Sequence, residues 1–288
     1  MNELTLPSYA KVNLTLDVGE KRPEDGYHPV KTVMLPISLA DEVMLRKAAE
    51  ISVTSSPQIP GTPEANLAFQ AAQMLKRATG YSGGAAIHIN KVVPVAGGLA
   101  GGSTNAATVL NGLNQLWGTR LPDQQLIDMA IRLGSDVPFF ILGRPARAEG
   151  IGERLTPLKV IKPMWLVLAV PEVAKSTSDV YRLFDELAHV DRPDTTAMEG
   201  ALAAGDIRGV AAALGNVFEQ VMLPRHPAIA EVRAALLREG ALGALMSGAG
   251  PSVFGIVPDE QAGRHMVERL SRSLSRVHLV HTRGHREE

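Results

Sequence analysis

The spacing of hydrophobic and polar positions near the N-terminus predicts a β-strand. Across Lys11–Val18 apolar and polar residues alternate with period two, which is typical of a strand with one buried face. The following stretch, 20–28, carries Pro23 and Gly26 and is predicted to be a turn. Three more strands are predicted for the first half of the chain, over Val30–Pro36, Val43–Arg46 and Ala86–Val93.

Helical spacing predicts three helices in the same half. The first covers Asn66–Thr79 and ends at Gly80, which suits a C-cap. The second follows a glycine-rich segment, has its apolar residues spaced to fall on one face, and can be capped at its start by Ser103 or Thr104. The third covers Asp123–Leu133, and Gly134–Phe139 is predicted to be a loop bounded by Pro138.

The pattern restarts after a connection predicted over 148–162. Strands are predicted over Trp165–Val170, Leu242–Met246, Val253–Val257 and Val277–His281, and helices over Ser176–Ala188, 195–204, 207–221, 227–239 and Glu260–Leu274. Several strands among helices predict a two-layer α/β sandwich. We therefore expect two domains, 1–155 and 156–288, with the boundary near residue 155.

Composition excludes several classes of protein. The chain of 288 residues has no cysteine, which rules out disulfides, thiolate metal sites and a cysteine nucleophile. Its 29 Lys and Arg residues balance 30 Asp and Glu residues, so nothing favours a nucleic-acid or membrane-surface partner. No membrane-spanning run or signal peptide is visible. We expect a cytoplasmic protein, either a monomer or a weak homodimer.

A glycine-rich loop between a predicted strand and a predicted helix is the main candidate site. Glycines let the backbone approach a ligand closely, and the start of the helix offers unpaired N–H groups and a positive dipole end. Such a loop suits a di- or triphosphate, although a turn without a ligand is the alternative. The predicted phosphate-binding residues are Pro94, Val95, Ala96, Gly97, Gly98, Leu99, Ala100, Gly101, Gly102, Ser103 and Thr104.

Two better-known loops do not fit this segment. A Walker loop needs a lysine where Ser103 stands, and the glycine spacing differs from that of a dinucleotide-binding fingerprint. The hydroxyl of Ser103 or Thr104 could meet a magnesium ion, but no carboxylate ligand stands out. His281 and His285 are four residues apart, and a charged tail explains them better than a metal site.

Three motifs together resemble those of the GHMP kinases. Pro94–Thr104 resembles their second motif, Pro7–Leu14 the first, and Met246–Gly255 the third. Asp25–His28 and Gly134–Phe140 resemble the branch that phosphorylates a cytidyl diphosphate alcohol in the non-mevalonate isoprenoid pathway. The resemblance implies an ATP- and Mg²⁺-dependent kinase with an α+β fold. Its N-terminal domain would be like ribosomal protein S5, and its C-terminal domain would be a ferredoxin-like sandwich.

The resemblance also implies roles for single residues. Asp136 would be the base and Lys11 the cation that keeps it ionised, beside Asn13 in the substrate site. Tyr27, His28 and Tyr181 would hold the cytosine, Asn66 and Lys91 would lie near adenine, and Ser247 and Gly248 near the phosphates. Read alone, Asp136 could be an ordinary capping or turn aspartate, and Lys11 a solvated strand lysine. Tyr181 could serve core packing, and Ser247–Gly250 could be a simple turn.

The chain departs from the family pattern at the end of the loop. Thr104 and Asn105 replace a common Ser-Asp pair, and Ala100 stands where many members have glycine. Phosphate binding is expected to survive, but a role for an acid at position 105 is in doubt. Two other functions stay open: a GHMP kinase acting on homoserine or mevalonate, and a non-catalytic nucleotide-binding module.

Overall fold

The structure is a computed structural model that describes residues 1–284. The chain forms two compact units. The first unit comprises Met1–Ala10, Leu39–Val95 and Ala100–Gly143, and the second comprises Lys11–Ser38, Ala96–Leu99 and the chain from Arg144 onwards. Because the units interleave along the sequence, a single cut near residue 155 does not separate them, and the predicted domain boundary stays a prediction.

The first 143 residues begin with three strands and end with three helices. Their elements are β1 (Glu3–Val18), β2 (Val30–Ala48), β3 (Ser52–Ser56), a 3₁₀ turn (Pro63–Ala65), α1 (Leu67–Thr79), β4 (Gly84–Asn90), α2 (Gly101–Leu116), α3 (Asp123–Leu133) and α4 (Val137–Leu142).

The rest of the described chain begins with a hairpin. Its elements are β5 (Ala146–Gly150), β6 (Arg154–Pro157), β7 (Trp165–Ala169), α5 (Thr177–Phe184), α6 (Thr195–Ala204), α7 (Ile207–Ala212), β8 (Gly215–Asn216), α8 (Glu219–Arg225), α9 (Pro227–Arg238), β9 (Gly243–Met246), β10 (Val253–Val257), α10 (Glu260–Leu270) and β11 (Val277–His281).

The first unit packs its helices on one face of a sheet. β4 runs antiparallel to the second half of β2, with Val43 opposite Ile89, and parallel to β3. Alternate residues of these strands point to the helices, where Leu45 and Ile87 join Leu75 and Leu110 in one buried core. Burial of this apolar face is what stabilises the helices in place.

The second unit contains an antiparallel sheet in the order β11-β7-β10-β9. Its strands face a core that includes Val167, Val253 and Phe218, which are buried together. In the same unit β5 pairs with the first residues of β2, and β8 pairs in parallel with β1 at Thr15 and Leu16.

The structure bears out many of the predicted elements. α1 begins after Asn66, whose side chain caps it, and ends at Gly80 in the left-handed conformation. α3 has the predicted bounds, and β7, β9, β10 and β11 form the four predicted strands of the second half. The two strands predicted around Pro36 are one strand, β2, because each of its halves has its own pairing partner.

Other predicted elements were wrong. Ser103 and Thr104 do not cap α2, because the helix already starts at Gly101 after Ala100 in the left-handed conformation, with φ 57°. The loop predicted over Gly134–Phe139 becomes α4 from Val137 onwards, with Pro138 in its first turn, where proline needs no N–H.

Pairing with distant strands explains two further errors. The predicted connection 148–162 holds the hairpin β5–β6, in which Arg147 lies opposite Thr156. The helix predicted over 207–221 is broken by Gly215 and Asn216, which pair with β1. Helices α5 and α10 are also shorter at their C-terminal ends than the apolar spacing predicts.

The described residues contain neither a candidate membrane-spanning helix nor a candidate metal cluster. Between residues 1 and 284 no helix combines the length and apolar character that a bilayer crossing requires. The same residues contain no group of three His, Cys, Asp or Glu side chains placed to hold a metal ion. The charged tail expected around His281 and His285 stays a prediction, since His285 lies outside the described residues.

Candidate active site

Residues 97–99 of the glycine-rich loop are held by both of the other motifs. The N–H of Lys11 donates to the carbonyl oxygen of Leu99 at 3.3 Å, and the N–H of Ser252 donates to that of Gly97 at 3.2 Å. The Ser247 hydroxyl donates to the carbonyl oxygen of Gly98 at 3.0 Å. The three motifs found in the sequence therefore meet in the second unit at the backbone of this loop.

The closeness of this packing explains two of the glycines. A Cβ on Gly98 would lie 2.1 Å from the carbonyl oxygen of Ser247, and Gly98 has φ +79°. A Cβ on Gly248, at φ +56°, would lie 3.0 Å from the carbonyl oxygen of Gly98. Glycine is required at position 98 both by its backbone conformation and by the lack of space.

Lys11 lies beside the same loop. Its Nζ donates to Asn13 Oδ1 at 2.6 Å and to the carbonyl oxygen of Gly98 at 3.4 Å. Asn13 is in turn held by a hydrogen bond from its Nδ2 to Thr32 Oγ1 at 2.8 Å. Lys11 and Asn13 are both buried, so the alternative reading of Lys11 as a solvated strand lysine is wrong.

A residue that the sequence did not single out shapes the third motif. Asn216 is buried, and its Nδ2 donates to the carbonyl oxygens of Met246 at 2.7 Å and Gly248 at 2.8 Å. Glu219 accepts a hydrogen bond from the N–H of Met246 at 2.7 Å, and burial raises the pKa of this carboxyl. The Gly-Asn pair inside a predicted helix was the available signal, because glycine and asparagine both favour breaks.

An aromatic cluster surrounds His28. Its ring lies 5.0 Å from that of Tyr181, and its Nε2 is 2.6 Å from Asp185 Oδ1. Tyr181 also packs edge-on against Phe218 at 4.9 Å, so core packing and proximity to His28 both apply to it. Tyr27 is 58 % exposed, next to the buried His28. Sequence reasoning brought His28 and Tyr181 together but missed Asp185, which carries no motif of its own.

In the first unit the start of α2 has no capping side chain. Ala100 occupies the N-cap position without a side-chain hydrogen bond, and two glycines follow it in the first turn. N–H groups in a first turn have no partner within the helix, and the helix dipole makes this end positive. The start of α2 therefore retains the donors that an anion would use.

A buried polar cluster supports this first turn, formed by Asp41, Lys91, Asn105, Ser8 and Thr104. Lys91 Nζ forms an ion pair with Asp41 and donates to Asn105 Oδ1 at 3.0 Å. Asn105 Nδ2 donates to Asp41 Oδ2 and Ser8 Oγ, both at 2.9 Å. The other oxygen of Asp41 accepts from the N–H groups of Val92 and Val93 at 2.7 and 2.8 Å.

This cluster separates the roles of the two hydroxyl residues. Thr104 is buried and accepts a hydrogen bond from Ser8 Oγ at 3.1 Å, whereas Ser103 is partly exposed. Of the two, Ser103 is the residue that a ligand could reach. The Lys91 ammonium is held within the cluster, and Asn66 caps α1 through a hydrogen bond from the N–H of Ala68 at 2.9 Å.

Asp136 directly precedes α4 and is partly buried in the first unit. Its carboxylate makes no capping hydrogen bond to the helix, so the reading of Asp136 as an ordinary capping residue does not apply. The residues after it, from Val137 to Phe139, are buried, which anchors the start of α4.

Comparisons with known proteins agree with these motifs. The family model for the GHMP kinases N terminal domain matches residues 66–144, and the model for the GHMP kinases C terminal matches residues 198–276. A relative from Symbiobacterium thermophilum, a 4-diphosphocytidyl-2-C-methyl-D-erythritol kinase, is 60 % identical over 95 % of this chain and 97 % of its own.

Solved structures extend the comparison to the fold. A crystal structure of 4-(cytidine 5'-diphospho)-2C-methyl-D-erythritol kinase matches with a TM-score of 0.84 and 34 % identity, covering 98 % of this chain and 100 % of that one. A homoserine kinase from Cytophaga hutchinsonii, at 17 % identity and a TM-score of 0.77 over 100 % of this chain and 96 % of its own, shares the fold.

The chain belongs to the GHMP kinases, and within them to the family of its relatives named 4-diphosphocytidyl-2-C-methyl-D-erythritol kinase. The predicted α+β GHMP kinase fold is thereby confirmed, as is the class of enzyme, an ATP-dependent small-molecule kinase.

Replacing Gly98 tests the contact between the loop and the third motif. Gly98→Ala should lower the free energy of unfolding by more than about 3 kcal/mol, since left-handed backbone strain adds to a clash with Ser247. Gly240→Ala is the matched control, because Gly240 has φ +98° but open space around its Cβ. Equal losses for the two variants in chemical denaturation would contradict the clash.

Asn105→Asp tests the charge balance of the buried cluster. The change adds a second carboxylate to one lysine and removes both hydrogen bonds that Asn105 donates, so we expect a loss of about 3 kcal/mol at neutral pH. The loss should shrink as the pH falls and the added carboxylate takes up a proton. Asn111→Asp, at a partly exposed position on the same helix, is the control. Unchanged stability for Asn105→Asp would show that the cluster tolerates a second acid.

Proposed function

We propose that this enzyme transfers the γ-phosphoryl group of ATP to the 2-hydroxyl of 4-diphosphocytidyl-2-C-methyl-D-erythritol. The products are the 2-phosphate and ADP, within the non-mevalonate route to isoprenoid precursors. The observation that carries the choice of substrate is the His28–Asp185 pair beside Tyr181, which suits a cytosine base. The high identity to relatives that bear this substrate in their name supports the same choice.

The phosphates of ATP are proposed to lie on the loop from Pro94 to Thr104. The uncapped start of α2 supports this, since it combines unpaired N–H donors with a positive dipole end. Ser103 is the hydroxyl we assign to a magnesium ion at this site, because Thr104 is buried and bonded to Ser8. Bound magnesium would neutralise charge on the phosphate oxygens during transfer.

Asp136 is proposed as the base and Lys11 as its supporting cation. Phosphoryl transfer needs a positioned hydroxyl, and a carboxylate that accepts the hydroxyl proton speeds the step. Asp136 suits this role because its carboxylate is not used to cap α4. Lys11 suits the role of supporting cation because Asn13 and the carbonyl oxygen of Gly98 fix its ammonium beside the loop. A cation favours the ionised form of a neighbouring carboxyl group.

The hydrogen bond between His28 and Asp185 supports the proposed cytosine site. A carboxylate can only accept a hydrogen bond, so His28 Nε2 carries the proton and donates a hydrogen bond to Asp185 Oδ1. In a neutral ring this leaves Nδ1 as an acceptor, which can receive the N4 amino group of cytosine. The exposed ring of Tyr27 offers a face on which the base can stack.

The remaining contacts are proposed from the family resemblance. We place Asn66 and Lys91 near adenine, where the Lys91 backbone would contribute because its ammonium is held by Asp41. We propose that Gly248 borders the phosphates, next to Gly98. A cytoplasmic enzyme with no nucleic-acid or membrane partner, either monomeric or weakly dimeric, completes the proposal.

Asp136→Asn tests the assigned chemistry. Turnover of the cytidyl substrate, followed as ADP release, should fall by about 10²- to 10⁴-fold because the amide cannot accept the proton. ATP affinity should stay within about twofold. Asp128→Asn, at an exposed position of α3, serves as the control. A wild-type rate for Asp136→Asn would contradict the assignment of Asp136 as the general base. Turnover of homoserine or mevalonate, without turnover of the cytidyl compound, would contradict the proposed substrate.

Base selectivity tests the His28 site. Cytosine offers an amino donor where uracil offers an oxygen, so CDP should bind about tenfold tighter than UDP. His28→Phe should reduce this ratio, because it removes the acceptor. Tyr27→Ala should weaken both nucleotides alike, since stacking does not distinguish the two bases. Equal affinity of the wild-type protein for CDP and UDP, measured by calorimetry, would remove the His28 assignment.

A further inference from the structure

Lys175 lies next to the element that carries the base site. It precedes Ser176, whose hydroxyl caps α5 by accepting the N–H of Asp179 at 3.1 Å. The same helix presents Tyr181 to His28, and Asp185 at its end bonds to His28. Lys175 is partly buried at the opposite end of this helix from Asp185.

The charge of Lys175 is not balanced within the described chain. No carboxylate of residues 1–284 forms an ion pair with it, in contrast to Lys91, which is paired with Asp41. Burial lowers the pKa of Lys175, and the nearby positive charge of Lys11 lowers it further. A partly desolvated lysine without an ion-paired carboxylate raises the free energy of the protein alone, and an anionic ligand would reverse this.

The groups near α5 offer a candidate contact for each part of the proposed acceptor, which consists of cytosine, diphosphate and polyol. The His28 cluster is proposed for the cytosine and Lys11 for the alcohol. Lys175 lies two residues before the start of α5, and Tyr181 lies about 6 Å along the helix axis from Thr177. The ribose that separates a cytosine from its 5′-diphosphate has a comparable length.

We propose that Lys175 binds the diphosphate of the acceptor and so selects alcohols that carry a nucleoside diphosphate. Lys175 is then a specificity-determining residue of the site, with no part in proton transfer. The inference rests on the proposed function for the identity of the acceptor. It concerns the acceptor and not ATP, because Lys175 adjoins the helix that holds the base site.

Binding of CDP, cytidine and ADP to the full chain tests this directly by calorimetry. The wild-type protein should bind CDP more tightly than cytidine, because only CDP carries the diphosphate. Lys175→Met should weaken CDP by about tenfold while cytidine and ADP keep their affinities. Lys175→Arg should restore most of the loss, since it keeps the charge. Lys162→Met, which removes an exposed lysine from a loop of the same unit, should behave like the wild type.

Steady-state kinetics test Lys175 a second time, because a residue that only supports the fold would not change the KM for one substrate alone. Lys175→Met should raise the KM for the cytidyl substrate about tenfold and leave kcat and the KM for ATP within about twofold. Thermal unfolding of each variant checks that the fold is intact. A loss of stability with an equal loss of cytidine, CDP and ADP binding would assign Lys175 to the scaffold and overturn the proposal.

The other outcomes separate the inference from the proposed function. If the wild-type enzyme phosphorylates the cytidyl substrate but Lys175→Met keeps its CDP affinity, the inference fails and the function stands. If Lys175→Met weakens ADP instead, the lysine serves ATP and the inference fails. The wild type could also fail to phosphorylate the cytidyl substrate while Lys175→Met loses the higher affinity for CDP than for cytidine. That result would support the diphosphate site and contradict the proposed function.

Discussion

The contact between the backbone of Gly98 and the carbonyl oxygen of Ser247 constrains the glycine-rich loop, the third motif and Lys11 in the second unit. No side chain fits between these two segments, and the Ser247 hydroxyl closes the contact by bonding to Gly98. Because Lys11 also bonds to Gly98, the same few atoms place the lysine. Loop, third motif and lysine therefore depend on one another, although almost 150 residues separate Gly98 from Ser247 in sequence.

Below the start of α2 the structure depends on a balance of charges. One lysine and one aspartate are buried together, and Asn105 joins them without adding a charge. Asparagine at position 105, where the family commonly has aspartate, thus keeps the buried cluster neutral in this chain. An uncompensated acid there would leave a charge buried, whereas the amide satisfies Asp41 and Ser8 as a donor and Lys91 as an acceptor.

Much of this could be predicted from the sequence, for identifiable reasons. The caps of α1 and the bounds of α3 follow from local chemistry, because Asn66 and Gly80 act on their immediate neighbours. The errors arise where distant residues decide. Gly215–Asn216 is drawn out of a helix by pairing with β1, and the hairpin β5–β6 forms against β2. Asp185 and Asn216 were missed because their roles depend on partners far away in sequence.

The segment 175–185 has a consequence for how enzymes of this fold diverge. One short helix and the residues at its two ends carry Lys175, Tyr181 and Asp185, whereas the loop at Gly98 and the cluster around Asp41 lie elsewhere in the chain. Under the proposed function, exchange of this one segment would change three of the contacts offered to the acceptor while the backbone contact at Gly98 is kept. Because Asp185 acts through His28, a graft of the segment onto a distant member of the fold would need Tyr27 and His28 as well.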